Sequence, residues 1–231
     1  SGEPEAADTG GSHGIIAVSA LMKQSLRLAA EFAVFPEPVL ITGETGTGKE
    51  LVARRIHAGS RRAAGPLIAV NCAAVPDDLF EGEFFGHARG AFTGAEEEST
   101  GLCERAAGGT LLLDEIGEMS PALQTKLLRL LQEGTYRRLG DPRELRTDLR
   151  ILAATNVDLR RARSRGLFRD DLYFRLQVLE VELPPLRSRT EDLPPLLELF
   201  TRRATAGGLG HRELLDDEAL RALGAYRWPG N

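Results

Sequence analysis

Residues Gly43 to Glu50, GETGTGKE, follow the apolar run Val39-Leu40-Ile41-Thr42 and lead into Leu51-Val52-Ala53-Arg54-Arg55-Ile56. The order reads as strand, glycine-rich loop, helix, which commits the chain to presenting a helix N-terminus at the end of a buried strand. Glycines at 43, 46 and 48 let the backbone curl with its N–H groups pointing inward, and the helix adds the positive end of its dipole. Such a cradle suits the phosphates of a nucleotide triphosphate. The candidate binding residues are Gly43, Glu44, Thr45, Gly46, Thr47, Gly48, Lys49 and Glu50, with Lys49 bringing a point charge to the outer phosphates. The pattern ordinarily closes on Ser or Thr; Glu50 stands there instead, so no hydroxyl remains to hold magnesium. Without the flanking strand and helix, the same residues would make a glycine-rich turn with an exposed lysine.

A second segment, Gly108-Gly109-Thr110-Leu111-Leu112-Leu113-Asp114-Glu115, is an apolar strand ending in two adjacent carboxylates. Paired acids after a strand are common in loops, but beside a phosphate cradle they suit metal-assisted phosphoryl chemistry. Asp114 is the candidate magnesium ligand. Glu115 is the candidate that orients and polarises the attacking water.

With 42% hydrophobic and 27% charged residues among 231, the chain is ordinary for a globular protein and long enough for one large domain or one plus a small appendage. With a net charge of −5 and no long basic run, nothing in the sequence reads as a self-sufficient nucleic-acid-binding arm, which leaves work near DNA open. Cys72 and Cys103 lack C-x-x-C spacing and fit reduced core thiols, while His13, His57, His87 and His211 are scattered without ligand spacing. No apolar stretch approaches the ~20 residues that span a bilayer, and no signal peptide opens the chain, so a cytoplasmic location with no membrane partner is expected.

Residues 1 to 14, SGEPEAADTGGSHG, read as a linker or an expression remnant following an earlier domain. From Ile15, helical and strand-like patterns alternate, with strands expected at Val39 to Thr42, Leu67 to Val70, Thr110 to Asp114, Leu149 to Ala154 and Val178 to Leu183. This alternation implies an α/β fold, a parallel sheet flanked by helices, over residues 15–186. The clearest helix has Ser120 as N-cap, Pro121 at its first position, Leu123, Leu127, Leu130 and Leu131 along one face, and Gly134 as its stop. The alternation ends around Leu183-Pro184-Pro185-Leu186, and a small helical lid is expected over 187–231.

Further candidates lie past strand ends. Thr155 and Asn156 would put a side-chain amide beside the γ-phosphate or the water, or merely cap a strand. Asn71 ends a strand at the sheet edge where ligands of open α/β sheets gather, and could hydrogen-bond Glu115. Arg169 and Arg175 bracket Asp170-Asp171-Leu172-Tyr173-Phe174, either as salt-bridged surface arginines or as charges donated to a neighbour's nucleotide. Gly90-Ala91-Phe92-Thr93-Gly94-Ala95 sets a phenylalanine among small residues with no period to bury it: a ring tucked into the core, or an exposed apolar tip that binds a partner.

Together these segments resemble the AAA+ ATPase domain of bacterial enhancer-binding proteins, the activators of sigma-54 RNA polymerase, from about Ile15 to the last residue. GAFTGA at Gly90 to Ala95 is that family's hallmark loop, preceded by FFGHARG with Phe84 for a more typical leucine. VNCAAV at Val70 to Val75, GGTLLLDEIGEM, AATN at Ala153 to Asn156, FRDDLYFRL at Phe168 to Leu176 and LPPLRSRTEDL at Leu183 to Leu193 are similar to family segments, and the family commonly carries Glu at the position of Glu50.

The resemblance implies an AAA+ P-loop NTPase that hydrolyses ATP with Mg2+ in a homo-oligomeric ring, most often a hexamer. Arg169 and Arg175 would reach in trans to the next subunit's phosphates, and Asn71 would restrain Glu115 until the partner engages. Residues of the loop, Phe92 and Thr93 foremost, would touch the sigma-54 RNA polymerase holoenzyme and convert its closed promoter complex to an open one. Gly140 to Thr147 looks like a second loop that moves with the first. The family continues past Asn231 into a helix carrying a nucleotide-sensing lid arginine, so this stretch alone is expected to be a poor ATPase. Promoter or enhancer DNA would be bound through a domain outside this sequence. Two rivals stand beside this reading: a nucleotide-dependent assembly module without productive hydrolysis, and a general AAA+ loader or unfoldase, which has no reason to carry GAFTGA.

Overall fold

A computed structural model describes residues 14–74, 76–92, 95–204 and 217–231. Apart from Gly14, the expected linker lies outside the described residues, as do Thr93 and Gly94 of the GAFTGA segment. The helices are α1 Ala20–Ala33, α2 Lys49–Ala58, α3 Asp77–Phe85, α4 Leu102–Arg105, α5 Pro121–Glu133, α6 Leu159–Ser164, α7 Asp170–Leu176, α8 Leu193–Ala204 and α9 Asp217–Ala225. The strands are β1 Val39–Thr42, β2 Leu67–Asn71, β3 Gly86–His87, β4 Ser99–Thr100, β5 Thr110–Asp114, β6 Thr135–Tyr136, β7 Leu145–Arg146, β8 Arg150–Thr155 and β9 Leu179–Glu182.

Five of them form one parallel sheet in the order β2-β5-β8-β1-β9. The middle residues of the central strands β5, β8 and β1 are apolar because both faces are covered. Period-two alternation divides their side chains between two cores. Val39, Ile41, Leu112, Leu152 and Ala154 pack with Met22, Leu26, Ala29, Val52 and Ile56 from α1 and α2. Leu40, Leu111, Leu113, Ile151 and Ala153 pack with residues of α3, α5 and α7. The expected β1 and β5 are observed with those bounds, whereas β2 runs one residue longer, β8 is shifted by one residue toward the C-terminus and β9 is one residue shorter at each end.

Helix α5 begins after Ser120 in N-cap backbone geometry and ends at Gly134 in the left-handed region, φ 66°, as its sequence predicts. The Ser120 hydroxyl makes no capping bond and is buried without a partner. Two antiparallel ribbons, β3–β4 and β6–β7, have no sequence period because each strand has only two residues. They form the bases of the loops holding Gly90–Ala95 and Gly140–Thr147.

After β9 the chain runs through two 3-10 turns, Leu186–Ser188 and Thr190–Asp192, into α8 and α9. Asp192, fully buried, accepts hydrogen bonds from the Val18 and Ser19 N–H groups at 2.6 and 2.7 Å and from the Ser19 hydroxyl at 3.0 Å. These bonds tie the start of the C-terminal helical part to the N-terminus of α1. Among the described residues, no helix is long and apolar enough to cross a membrane.

Candidate functional site

The loop Gly43–Gly48 joins the C-terminal end of β1 to the N-terminus of α2. Gly46 and Gly48 take φ of 81° and 100°, the left-handed region where a Cβ is strained. Gly46 is also crowded: a Cβ there would lie 2.1 Å from the Gly230 carbonyl oxygen. Gly48 is the N-cap of α2 and has no side chain to cap it, so the helix's first N–H groups and its dipole face the loop. Lys49, buried, donates from Nζ to the carbonyls of Gly43 at 3.0 Å and Glu44 at 3.2 Å, which holds its ammonium over the cradle. Glu50 lies on the outer face of α2 in an ion pair with Arg54 at 2.6 Å. A pocket of about 250 Å³ adjoins the loop, lined by Gly46–Gly48 together with Ile15, Ile16, Leu186, Leu196 and Trp228, an apolar wall suited to a flat base.

The two acids stand at the end of β5, next to β2 and β8. Asp114 pairs in register with Asn71 and accepts from the Glu115 N–H at 3.0 Å. Glu115 adopts φ 53° and ψ 44°, an uncommon conformation for a residue with a Cβ, and its Oε2 is buried without a hydrogen-bond partner. Among the described residues no ion pair engages either carboxylate. A strained, unneutralised acid pair beside a phosphate cradle is a donor set that fits a hydrated divalent cation and a water molecule.

Of the other predicted residues, Asn156 reaches the loop: its Nδ2 donates to the Thr45 hydroxyl at 2.8 Å. Asn71 does not bond Glu115. Its Oδ1 accepts from the Ala73 N–H at 2.8 Å in a local turn, which competes with any longer reach. Arg169 and Arg175 sit at the two ends of α7 and make no hydrogen bond or ion pair with Gly43–Glu50 among the described residues. Arg169 forks onto Asp171 at 3.0 and 2.8 Å, and Arg175 donates to the Leu131 carbonyl at 3.3 Å.

In the GAFTGA segment, Gly90 N–H donates to the Ala95 carbonyl at 2.8 Å and Ala95 N–H to the Phe92 carbonyl at 3.0 Å. Phe92 is 42% exposed and rests edge-on against His87, ring centroids 5.0 Å apart. It is neither tucked into the core nor fully free. The Gly140 loop docks on this one: Ala88 N–H donates to the Leu139 carbonyl and Leu139 N–H to Gly86, both at 2.9 Å. Gly140, φ 75°, approaches so closely that a Cβ would lie 2.8 Å from that of Ala91.

Three polar residues that touch these elements escaped the sequence reading. Arg187 forks onto Glu44 at 2.6 and 2.5 Å, and its hydrogen bonds hold the Glu44 carboxyl below its ordinary pKa. Asn231 donates to the Thr45 carbonyl at 2.9 Å and accepts from the Leu186 N–H at 2.5 Å. Gln124 is fully buried on α5. The sequence signal for Gln124 is a polar residue on an otherwise apolar helix stripe; Arg187 lies within the LPPLRSRTEDL segment, and for Asn231 there is none.

Both thiols are free and buried. Burial, reinforced by the Asp114 and Glu115 carboxylates, pushes Cys72 up to about 12, and burial raises Cys103 as well. At pH 8 about one Cys72 in ten thousand is then thiolate, so neither cysteine is expected to react with Ellman's reagent before the chain unfolds. Stoichiometric labelling of the native chain within minutes would contradict the burial described.

The sheet order, the loop between β1 and α2 and the acids ending β5 define a P-loop NTPase domain of the AAA+ class. The Sigma-54 interaction domain model matches residues 15–182 and the AAA+ ATPase lid domain model residues 187–231; the chain belongs to the family of sigma-54 interaction domains. It is 50% identical over 217 residues to the DNA-binding transcriptional regulator NtrC of Rhizobium meliloti (strain 1021), covering 94% of this chain and 45% of that protein. To the Nif-specific regulatory protein of Azospirillum lipoferum it is 47% identical, covering 94% of this chain and 35% of that protein. The chain thus spans less than half the length of these curated relatives. The crystal structure of NtrX from Brucella abortus in complex with ATP superposes with a TM-score of 0.85 at 36% identity, over 94% of this chain and 47% of that one.

Proposed function

We propose that this chain is the ATP-hydrolysing, sigma-54-engaging part of a bacterial transcriptional activator, working in the cytoplasm as a homo-oligomeric ring. The observation that carries the reading is the pairing of a P-loop, its lysine held over the cradle, with an acid whose carboxylate oxygen is buried and unpartnered, in a sigma-54 interaction domain. The neighbour solved with ATP supports the choice of nucleotide. In this reading residues 15–186 form the ATPase part and 187–231 the lid.

Lys49 and the first N–H groups of α2 would bind the β- and γ-phosphates, and the pocket beside Ile15 and Trp228 would take the base. Asp114 would hold Mg2+, whose charge offsets that of the phosphates; Glu50 supplies no ligand, being paired to Arg54. Glu115 would orient the attacking water. Asn156 would steady the loop through Thr45 rather than touch the water itself. Arg169 and Arg175, which make no hydrogen bond or ion pair with their own loop among the described residues, would act on the next subunit's phosphates. Binding and release of the γ-phosphate would shift the joined loops at Gly90–Ala95 and Gly140–Thr147, which act on sigma-54 RNA polymerase and open the promoter complex. DNA would be held by another domain of the whole protein.

The test is a native-gel binding assay with purified sigma-54 and an ATP transition-state analogue, run beside Thr93→Ala. A complex is expected only with the unmodified loop, nucleotide occupancy and assembly being equal. If the unmodified chain assembles and holds the analogue yet ignores sigma-54, it is instead a nucleotide-dependent assembly module.

A further inference from the structure

We propose that Gln124 is a positioning residue that ties Arg169 to the acids of the chain's own nucleotide site, so that the arginine a subunit offers its neighbour follows the state of its own site. This rests on the reading of Arg169 as acting in trans.

Gln124 is fully buried among Leu123, Leu127 and Leu128 of α5. An amide in such a place is costly unless every polar atom is used, and here every one is. Nε2 donates to the Met119 carbonyl at 2.8 Å and to the Leu167 carbonyl at 3.0 Å, and Oε1 accepts from the Arg169 N–H at 2.8 Å. Packing alone does not call for this arrangement, since an apolar side chain of the same shape would fill the volume.

The three bonded points are not equivalent. Met119 closes the 3-10 turn Ile116–Glu118, which directly follows Glu115 in its strained conformation. Arg169 is the N-cap residue of α7, and Leu167 lies two residues before it, across the buried Phe168. A single planar amide therefore joins the segment leaving the acid pair to the segment that presents Arg169 through direct hydrogen bonds. A shift of the Glu115–Met119 turn moves the amide, and the amide moves the backbone of Arg169. The arginine's own side chain is exposed and, among the described residues, bonds only the surface groups Asp171 and Thr125, so its aim is set by that backbone.

The test uses Gln124→Met, which keeps the volume and loses all three bonds, and Gln124→Glu, which can still accept from Arg169 N–H but turns a carboxylate toward two carbonyls. Both are expected to keep nucleotide affinity and lose about 100-fold in kcat, the scale of a catalytic group displaced by about an ångström. The deciding readout is complementation. A Gln124→Met subunit has a complete P-loop and acid pair but a misplaced arginine, whereas a Lys49→Ala subunit lacks the phosphate-binding lysine but presents an ordinary Arg169.

Equimolar mixing of the two should restore turnover toward that of a mixture of unmodified and Lys49→Ala chains, as should mixing Arg169→Ala with Lys49→Ala. If the Arg169→Ala mixture recovers and the Gln124→Met mixture does not, Gln124 acts within its own site and the proposal fails. If neither recovers, the trans reading of Arg169 falls first and takes this proposal with it. Should thermal melting show Gln124→Met misfolded, Gln124→Glu takes its place in the same mixtures; unchanged kcat in a folded variant also overturns the proposal.

Discussion

Glu115→Gln is expected to lower ATP turnover by about 1,000-fold while leaving nucleotide bound as tightly as in the unmodified chain. The substitution conserves shape and removes only the ability to polarise water and accept its proton. A left-handed conformation at a residue with a Cβ costs of order 1–3 kcal/mol, and it is held here by Asp114 Oδ1 on the Glu115 N–H and by the Glu115 carbonyl on the Glu118 N–H, each at 3.0 Å. Nothing in the packing needs an acid there: Oε2 is buried and partnerless, and a folded chain gains nothing from keeping it. The variant should therefore melt no earlier than the unmodified chain. Phosphate-release kinetics, set beside titration with a fluorescent nucleotide, measure the two arms. Turnover within about tenfold of the unmodified chain would remove Glu115 from the chemistry.

The parts of this molecule that depend on local rules were legible. Strands β1 and β5 are short apolar runs, β1 between Pro38 and Gly43 and β5 opened by Gly109, and the P-loop announces itself because its glycines are required at φ values that other residues avoid. Pro121 and Gly134 bracket α5 for the same kind of reason. What stayed hidden depends on which distant backbone a polar side chain meets. Asn71, at the end of β2, has the residue type to bond Glu115, yet bonds Ala73 two residues on, because a local turn is entropically cheaper than a reach across strands. Arg187 and Asn231 meet Glu44 and Thr45 only because the segment after β9 folds back over the loop, a contact spanning 143 residues for the Arg187–Glu44 pair. The motif around Arg169 is visible in the sequence, but its geometry is not: its backbone N–H donates to the Gln124 amide oxygen, 45 residues earlier.

The two loops behave likewise. Composition picks out Phe92, but the bond from Leu139 N–H to Gly86 and the close approach of Gly140 to Ala91 are tertiary facts. They hold the two loops against each other, and the half-exposed Phe92 ring rests beside them on His87.

Arg169→Ala is expected to cost 1,000-fold or more in kcat, roughly the lower bound for removing an arginine that stabilises charge on a transferring phosphoryl group, with nucleotide affinity nearly kept. The resting partners of Arg169 explain why it is available for such work. Its guanidinium forks onto Asp171, whose carboxyl it holds below the ordinary pKa, and brushes the Thr125 hydroxyl at 3.4 Å, all on an exposed surface. An exposed pair in water is a weak hold, and a phosphate offers the same planar fork a more highly charged partner. Arg169→Lys should rescue little, because an ammonium cannot reproduce two parallel N–H bonds. Arg175, six residues on at the far end of α7, is roughly 9 Å further along the helix axis and cannot stand in at the same oxygens. The measurement is steady-state turnover at saturating ATP, with assembly checked by light scattering. A variant that assembles, binds nucleotide and turns over normally would move the trans charge from Arg169 to Arg175.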